Sequence, residues 1–132
     1  MKIIGTGVDI IEVRRVKNAI DKYGQNFLER IFTDKELKKA KEHNSFYQHT
    51  AGRFAAKESV FKALDKMKLS FKDVEVLNDS DGKPYCSLLK YNKNRPSSCA
   101  QELGKLNIHI SISHIKNYAV ANAIITQETS NP

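Results

Sequence analysis

The stretch that most constrains the fold of this chain is Ala-Gly-Arg-Phe-Ala-Ala-Lys-Glu-Ser-Val-Phe-Lys-Ala, which runs from Ala51 to Ala63. It predicts the middle of a long helix, roughly residues 45–67. Several side chains fall close together on a wheel of about 3.6 residues per turn and predict a core-facing stripe: Tyr47, Ala51, Phe54, Phe61 and Asp65, with Leu64 beside them. The rest of the chain is expected to pack around this helix.

Glu58 lies within the predicted stripe. A carboxylate there is expected to face a neighbouring element, and a buried charge is normally paired or bound to a metal ion. A salt bridge to Arg53, Lys57 or Lys62 is the structural alternative, and an i,i+4 pair with Lys62 would contribute a few tenths of a kcal/mol. One acid among several bases suits an anionic ligand, alone or together with a cation.

Composition restricts the class of protein. The chain has 132 residues, of which 28% are charged, and its apolar runs are too short for a membrane helix of about 20 residues. We expect a single domain over residues 1–126 and a flexible tail over residues 127–132. The net charge of +7 favours an anionic partner without choosing among phosphates, nucleic acid and acidic proteins.

Cysteine usage and the N-terminus bear on location. Cys86 and Cys99 have neither CxxC spacing nor the pattern of a disulfide framework, which indicates a reducing compartment. The sequence enters a strand-like stretch at Lys2 without a signal or transit peptide. These features predict a cytoplasmic protein, or one of an organelle matrix if a targeting segment has been removed.

Periodicity and capping residues predict the other elements. A first strand is expected over Lys2–Ile10, with Asp9 at its end forming a capping box with Glu12, and a second box is expected at Thr33 and Glu36. The further predictions are a helix to about Lys22 with Gly24 as its C-cap, a short helix around Phe27–Phe32, a helix to about Lys41, a hairpin with its turn at Asn78–Gly82, a strand from about Pro84 to Leu89, a short helix around Cys99–Leu103, a strand with Ile108, Ile110 and Ile112 on one face, and a last strand over Tyr118–Ile125. Because strands and helices do not alternate strictly, the pattern favours an α+β fold in which an antiparallel sheet packs against the long helix.

Two acids suggest a metal site. Asp9 alone is more typical of a helix cap, but Asp9 and Glu58 together suit Mg²⁺, which takes one or two carboxylates and completes its shell with water and substrate phosphates. His114 follows a strand whose polar positions are Ser111 and Ser113, and a structural histidine is an equal alternative there. Neither serine lies in a nucleophile elbow, and the sequence contains no dinucleotide or P-loop fingerprint.

Five motifs, which occur in order over residues 2 to about 125, together resemble those of a known family. The motifs are Gly7-Val-Asp9 with Arg14, Phe32-Thr-x-x-Glu36, Gly52-Arg-Phe-Ala-Ala-Lys-Glu-Ser59 with Lys62-Ala63, Asp81-Gly-Lys-Pro84, and Ser111-Ile-Ser-His114. They are similar to those of the holo-[acyl-carrier-protein] synthases, the small 4′-phosphopantetheinyl transferases. Each motif alone is weak, and their specificity lies in their joint order.

The resemblance implies a reaction and a set of site residues. Enzymes of this family move 4′-phosphopantetheine from coenzyme A to a serine of an apo acyl carrier protein and release adenosine 3′,5′-bisphosphate. By position, Asp9 and Glu58 match the Mg²⁺ ligands, and Glu58 with Lys62 would carry the catalysis. The positions matching the coenzyme A site are Arg53, Lys62, Gly82, Lys83, Pro84, Ser113 and His114.

The resemblance also implies partners. The family fold is α+β and assembles as a homotrimer with each active site between two subunits, and the basic helix after Asp9 docks the acidic carrier protein through Arg14, Arg15 and Lys22. Residues 90–107 form a longer connection than is usual in the family, most simply a solvated loop. Neither a nucleic acid nor a membrane is expected as a partner; the alternative function, a basic nucleic-acid-binding module, fits the charge but lacks a recognised nucleic-acid-binding motif.

Overall fold

The computed structural model describes residues 1–64, 68–89 and 106–128, and its helices and strands have the predicted α+β character. A helical block follows the first strand, and four strands complete the chain. In order, the elements are β1 (Lys2–Glu12), α1 (Val13–Tyr23), α2 (Gln25–Ile31), α3 (Asp34–Lys41), α4 (Phe46–Ala63), a 3₁₀ helix (Phe71–Asp73), β2 (Val74–Asn78), β3 (Pro84–Leu88), β4 (Leu106–His114) and β5 (Tyr118–Gln127).

The strands form a three-stranded antiparallel sheet in the order β1-β5-β4 and a separate antiparallel hairpin of β2 and β3. The hairpin confirms the turn predicted from Asp-Gly, and Gly82 there has φ of +87°, a conformation that L side chains rarely adopt. In β4, Ile108 and Ile110 turn inward while the polar residues between them are exposed, as the alternation predicts.

Helix α4 packs directly on the inner face of this sheet. A Cβ atom at Gly5 would overlap the backbone carbonyl oxygen of Ala63, and one at Gly7 would overlap that of Ser59. The two glycines therefore let β1 approach the helix backbone closely. This close approach places Asp9, the next inward-facing residue of β1, beside the C-terminal half of α4.

The central helix is present, but its predicted end was wrong and its predicted stripe is confirmed only in part. The helix ends at Ala63 instead of near residue 67, and Asp65 lies outside the described residues. In the predicted stripe, Ala51 and Leu64 are buried, whereas the aromatic members are partly buried and pack against the core: Tyr47, Phe54 and Phe61. Glu58 is partly buried, and full burial extends beyond the stripe to Lys57 and Val60.

Lys57, which the sequence grouped with the bases around Glu58, lies elsewhere. It is fully buried and forms an ion pair with the fully buried carboxylate of Glu36. Glu36 also accepts from the backbone N–H groups of Thr33 and Val76. The predicted capping box of Thr33 and Glu36 is therefore confirmed, but its glutamate has a second role as the counter-ion of a buried lysine.

The capping role predicted for Asp9 was wrong. Asp9 lies inside β1, which continues to Glu12, and α1 begins without a side-chain cap at its N-terminus. The extension arises because β1 pairs with β5 as far as Glu12 opposite Tyr118. Gly24 does end α1 with a positive φ, as predicted.

Several predictions fall on residues outside the described ranges. The short helix predicted around Cys99–Leu103 lies there, as does the connection over residues 90–105, whereas Leu106 and Asn107 already belong to β4. Gln127, with which the predicted tail begins, is the last residue of β5. In the ranges that the structure does describe, no helix is long and apolar enough to cross a membrane.

Candidate active site

The predicted site residues form two groups, which lie on different sides of α4. The first, here called the acidic half, consists of Asp9, Glu58 and Lys62 with the surface around them. Lys62 donates to Asp9 Oδ1 at 3.1 Å and to the backbone carbonyl oxygen of Val8 at 2.8 Å. Lys62 therefore pairs with β1 rather than with Glu58, which lies one turn earlier on its own helix.

Glu58 is the unpaired carboxylate of the acidic half. It forms no ion pair with any residue that the structure describes. Its pKa lies above the usual value of a glutamate, first because it is partly buried and second because the charge of Asp9 is close, while Lys62 opposes both effects. Two carboxylates thus repel each other at this point, with one exposed ammonium group to balance them.

The acidic half opens onto a depression of about 310 Å³ between β1, α1 and α4. Asp9 and Glu58 line one side, and Arg15 of α1 lines another. The remaining wall is mainly apolar and consists of Ile10, Ile11, Val16, Ala19, Phe27 and Phe54. A ligand in this depression would meet two acids, one arginine and a hydrophobic surface.

No group of three or more His, Cys, Asp or Glu side chains with metal-binding geometry occurs in the described ranges. A site that is completed by protein ligands alone is therefore not formed there. Two carboxylates still match the chemistry of Mg²⁺, which is commonly held by one or two acids together with water and substrate phosphates. The donor set of Asp9 and Glu58 fits such an ion.

The second group, here called the basic half, consists of Arg53, His114 and the turn of Gly82, Lys83 and Pro84. This arginine is buried, and its guanidinium donates to the side-chain oxygen of Asn78 at the end of β2. Asn78 in turn donates to the carbonyl oxygen of Gly82 at 2.7 Å. The helix and the turn that contains Gly82, Lys83 and Pro84 are thereby linked through one asparagine, which the sequence did not single out.

A histidine that the sequence did not single out also belongs to the basic half. His49 lies one turn before Arg53, is buried, and stacks on His43 with 4.1 Å between ring centroids. Its pKa is lowered to about 3, first by burial and then by the positive charges of Arg53, His43, His114 and Lys39. The helical i,i+4 spacing of His49 and Arg53 is a pattern from which the proximity could have been predicted.

The two halves lie on opposite sides of α4. Arg53 and Lys62 are nine residues apart, which corresponds to about 180° at roughly 100° per residue. Their partners differ accordingly, since Arg53 binds the end of β2 while Lys62 binds β1. Within one chain, the structure therefore does not bring the predicted coenzyme A residues of the basic half to the acidic half.

The residues predicted to bind a partner lie on the exposed side of α1. Arg14, Arg15 and Lys22 are all exposed, but only Arg15 lines the depression of the acidic half. A larger cavity of about 870 Å³ begins at the end of α1 and shares Phe27 with that depression. Its lining combines aromatic and basic groups from α1, α2 and the 3₁₀ helix: Tyr23, Asn26, Phe27, Arg30, Ile31, Ser70, Phe71 and Lys72.

Three candidate nucleophiles lie on the described strands β3 and β4. Ser111 donates to Asn122 on the exposed face of the sheet, and Ser113 is exposed on that same strand. Burial raises the pKa of Cys86 to about 12, so its thiol stays protonated at neutral pH. None of these three residues lines the depression of the acidic half.

Comparison with known proteins identifies relatives of the whole chain. Residues 5–123 match the model of the 4′-phosphopantetheinyl transferase superfamily. A holo-[acyl-carrier-protein] synthase of Thermodesulfovibrio yellowstonii is 44% identical over 125 residues, which are 94% of this chain and 99% of that protein.

Solved structures of other proteins share this fold. The holo-(acyl-carrier-protein) synthase of Bacillus anthracis, crystallised in complex with CoA (3′,5′-ADP), superposes with a TM-score of 0.74 at 35% identity, covering 97% of this chain and all of that one. The holo-[acyl-carrier-protein] synthase of Neisseria meningitidis gives a TM-score of 0.80 at 28% identity, covering 95% of this chain and 99% of that one.

Proposed function

The chain belongs to the 4′-phosphopantetheinyl transferase superfamily, and from that premise we propose that it transfers 4′-phosphopantetheine from coenzyme A to a serine hydroxyl of an apo acyl carrier protein. The second product is adenosine 3′,5′-bisphosphate. The single observation that carries this proposal at the site is the pair Asp9 and Glu58, which face one depression next to Lys62.

We propose Mg²⁺ as the metal ion, with Asp9 and Glu58 as its protein ligands. The fit is supported by the raised pKa of Glu58, because a cation between the carboxylates would remove the repulsion that Asp9 imposes. When bound, Mg²⁺ would polarise the pyrophosphate and stabilise the charge on the departing bisphosphate. The exposure of Lys62, 53% of whose side-chain surface is accessible, leaves it able to turn from Asp9 towards a phosphate.

The protein supplies a base and a cation but no nucleophile. The attacking hydroxyl is the carrier's serine, and Glu58, directly or through a water molecule, is the proposed acceptor of its proton. A raised pKa suits this role because it makes the carboxylate of Glu58 a stronger base than that of an ordinary glutamate. Lys62 would neutralise negative charge on the leaving bisphosphate or protonate it.

The basic half is proposed to hold the phosphates and the adenine of coenzyme A. Arg53 and His114 supply positive charge, and the turn of Gly82, Lys83 and Pro84 is placed against Arg53 through Asn78. Because this half lies on the far side of α4 from Glu58, a complete site requires the basic half of a second subunit. This requirement supports the homotrimer with sites between subunits.

The exposed face of the sheet supports the same assembly. On β1, 59% of Val8 and 65% of Ile10 are accessible in the single chain, and Ile124 of β5 lies on the same face. Thr6 and Asn122 also lie on this face, but a cluster of exposed apolar side chains rimmed by polar residues often marks a protein interface. We therefore propose that copies of this chain bury this face against one another.

The acyl carrier protein is proposed to dock across α1 and α2. Its serine must reach Glu58, so the docking face has to border the depression of the acidic half. The larger cavity adjoins that depression at Phe27, and Arg30 and Lys72 give it positive charge. Such a face, apolar in its centre and basic at its edge, is complementary to an acidic protein.

The proposal is tested by intact mass spectrometry of an apo acyl carrier protein after incubation with this protein, Mg²⁺ and coenzyme A. We expect a mass gain of one phosphopantetheine group, which a chelator abolishes. A carrier in which the acceptor serine is replaced by alanine is the matched control and should gain nothing. If several unmodified carriers gain no mass, the transferase proposal fails, and the alternative of a nucleic-acid-binding module becomes the better explanation of the basic charge.

A further inference from the structure

Lys57 connects four elements through one buried ammonium group. Its Nζ atom lies 2.6 Å from Glu36 Oε1 of α3 and 2.8 Å from the carbonyl oxygen of Val74 at the start of β2. It also lies 2.9 Å from the carbonyl oxygen of Ile31 at the end of α2 and 3.0 Å from that of Phe71 in the 3₁₀ helix. The side chain has no exposed surface, so no water competes for these bonds.

Two of these acceptors belong to the walls of the larger cavity. Ile31 and Phe71 line it from opposite elements, α2 and the 3₁₀ helix. Because both backbone carbonyls bind the same ammonium group, Lys57 sets the distance between the two walls. Arg30 and Lys72, the basic residues of the cavity, are the sequence neighbours of these two anchored positions.

The contacts of Lys57 do not extend to the acidic half. It precedes Glu58 in sequence, but successive helix residues diverge by about 100°, and the two side chains face different elements. Lys62 donates to Asp9 and to the carbonyl oxygen of Val8, and neither contact involves Lys57. A substitution of Lys57 is therefore expected to alter the shape of the larger cavity more than the positions of Asp9 and Glu58.

We infer that Lys57 is a positioning residue for carrier docking, which holds the two walls of the larger cavity at the separation the carrier protein requires. The inference rests on the proposed function, since it takes the carrier to dock over this cavity. According to this inference, the buried ion pair of Lys57 and Glu36 affects binding of the carrier protein and does not affect binding of coenzyme A. A purely structural role would instead weaken the recognition of both substrates together.

The test uses the double variant Lys57→Met, Glu36→Gln in the full-length enzyme. It removes the ammonium group without leaving an unpaired buried carboxylate, which a single substitution at Lys57 would do. The Michaelis constants for the carrier protein and for coenzyme A are measured separately. We expect the KM for the carrier to rise about tenfold and the KM for coenzyme A to change by less than about twofold.

Val60→Ala is the matched control, because Val60 is also fully buried on α4 but packs in the sheet-side core. It should lower the melting temperature while leaving the ratio of the two Michaelis constants unchanged. If the double variant does not fold, Glu36→Gln alone is measured, and the KM for the carrier should rise about threefold. An unchanged KM for the carrier, or equal increases for both substrates, would overturn the inference, whereas a wild-type protein without transfer activity would overturn the proposed function instead.

Discussion

At the scale of single residues, the carboxylates of Asp9 and Glu58 have no structural reason to lie so close together. Burial and the charge of Asp9 both raise the pKa of Glu58, and Lys62 forms its ion pair with Asp9. A protein that keeps such a pair beside an open depression loses stability there unless a cation or a substrate uses it. This physical conflict, more than either residue alone, marks the acidic half as functional.

Replacing either carboxylate by alanine is therefore expected to abolish Mg²⁺-dependent transfer while leaving the fold intact. For Glu58→Ala and Asp9→Ala we expect a loss of rate on the order of a hundredfold or more, because a catalytic metal ion stabilises the transition state by several kcal/mol. Carrier mass gain against time gives the rate, and circular dichroism reports the fold. Asp34→Ala, at an exposed acidic residue of α3, is the control, and full activity in either site variant would refute the metal assignment.

His49 should make the stability of the protein depend on pH. Its pKa is about 3 in the folded state against 6.5 in the unfolded chain, so between these values the unfolded chain binds the extra proton. The free energy of unfolding should then fall as the pH drops below 6.5, by up to about 1.4 kcal/mol per pH unit from this group. His49→Gln should flatten that slope.

Urea unfolding between about pH 7 and pH 4 measures the slope directly. The control is Val60→Ala, which removes buried apolar contacts and no titratable group, so it should lower the stability while leaving the slope as it is in the wild type. A His49→Gln variant with an unchanged slope would mean that His49 is not held neutral by its burial among Arg53, His43, His114 and Lys39.

At the scale of elements, the sequence predicted well wherever the cause was local. Gly24, the capping box at Thr33 and the Asp-Gly turn act within a few residues, and each was confirmed. The burial of α4 was predicted only in part, because it also depends on the neighbouring elements. At Gly5 and Gly7 the first strand approaches the helix backbone closely, and Lys57, outside the predicted stripe, is fully buried. A helical wheel contains no information about these neighbours.

The same distinction applies to the site. Asp9, Glu58 and Lys62 do meet, as the motifs predicted, but Lys57 and Glu36 meet across an interval of 21 residues that no local pattern spans. Long-range pairs of this kind depend on how the elements pack. The role of His49 was missed for a similar reason, since His114 reaches it from a strand far along the chain.

Two adjacent arginines of α1, Arg14 and Arg15, provide a test of the docking face, because only one of them lines the depression of the acidic half. Arg15 lines the depression beside Glu58, whereas Arg14 does not. We expect Arg15→Glu to raise the KM for the carrier protein roughly tenfold, since it places a negative charge against an acidic partner where the serine must enter. Arg14→Glu is the matched control and should have a smaller effect.

Both Michaelis constants should be measured at low and high salt. A docking effect shrinks as salt screens the charges, and the KM for coenzyme A should stay within about twofold in both variants. Equal effects of the two reversals would indicate a diffuse attraction along α1, and no effect of either would argue against this helix as the docking face.

At the scale of the whole molecule, the single chain has two incomplete features that one assembly would resolve. The outer face of β1 and β5 carries uncovered apolar side chains, and the acidic and basic halves lie on opposite sides of α4. In the proposed ring of identical subunits, these apolar side chains would be buried, and each acidic half would meet the basic half of its neighbour. Light scattering is expected to give the mass of about three chains.

The shared site itself can be tested by mixing two variants that are each inactive. Glu58→Ala lacks a working acidic half and His114→Ala lacks part of the basic half, so each homotrimer has only defective sites. In mixed trimers, some sites combine the acidic half of a His114→Ala subunit with the basic half of a Glu58→Ala subunit. Such a site contains neither substitution and should be active. Unfolding and refolding the two together should therefore restore activity in about a quarter of all sites, whereas Glu58→Ala mixed with Lys62→Ala, both altered in the acidic half, should restore none. Sites contained within single chains would leave both mixtures inactive, because no chain in either mixture carries an unaltered pair of halves.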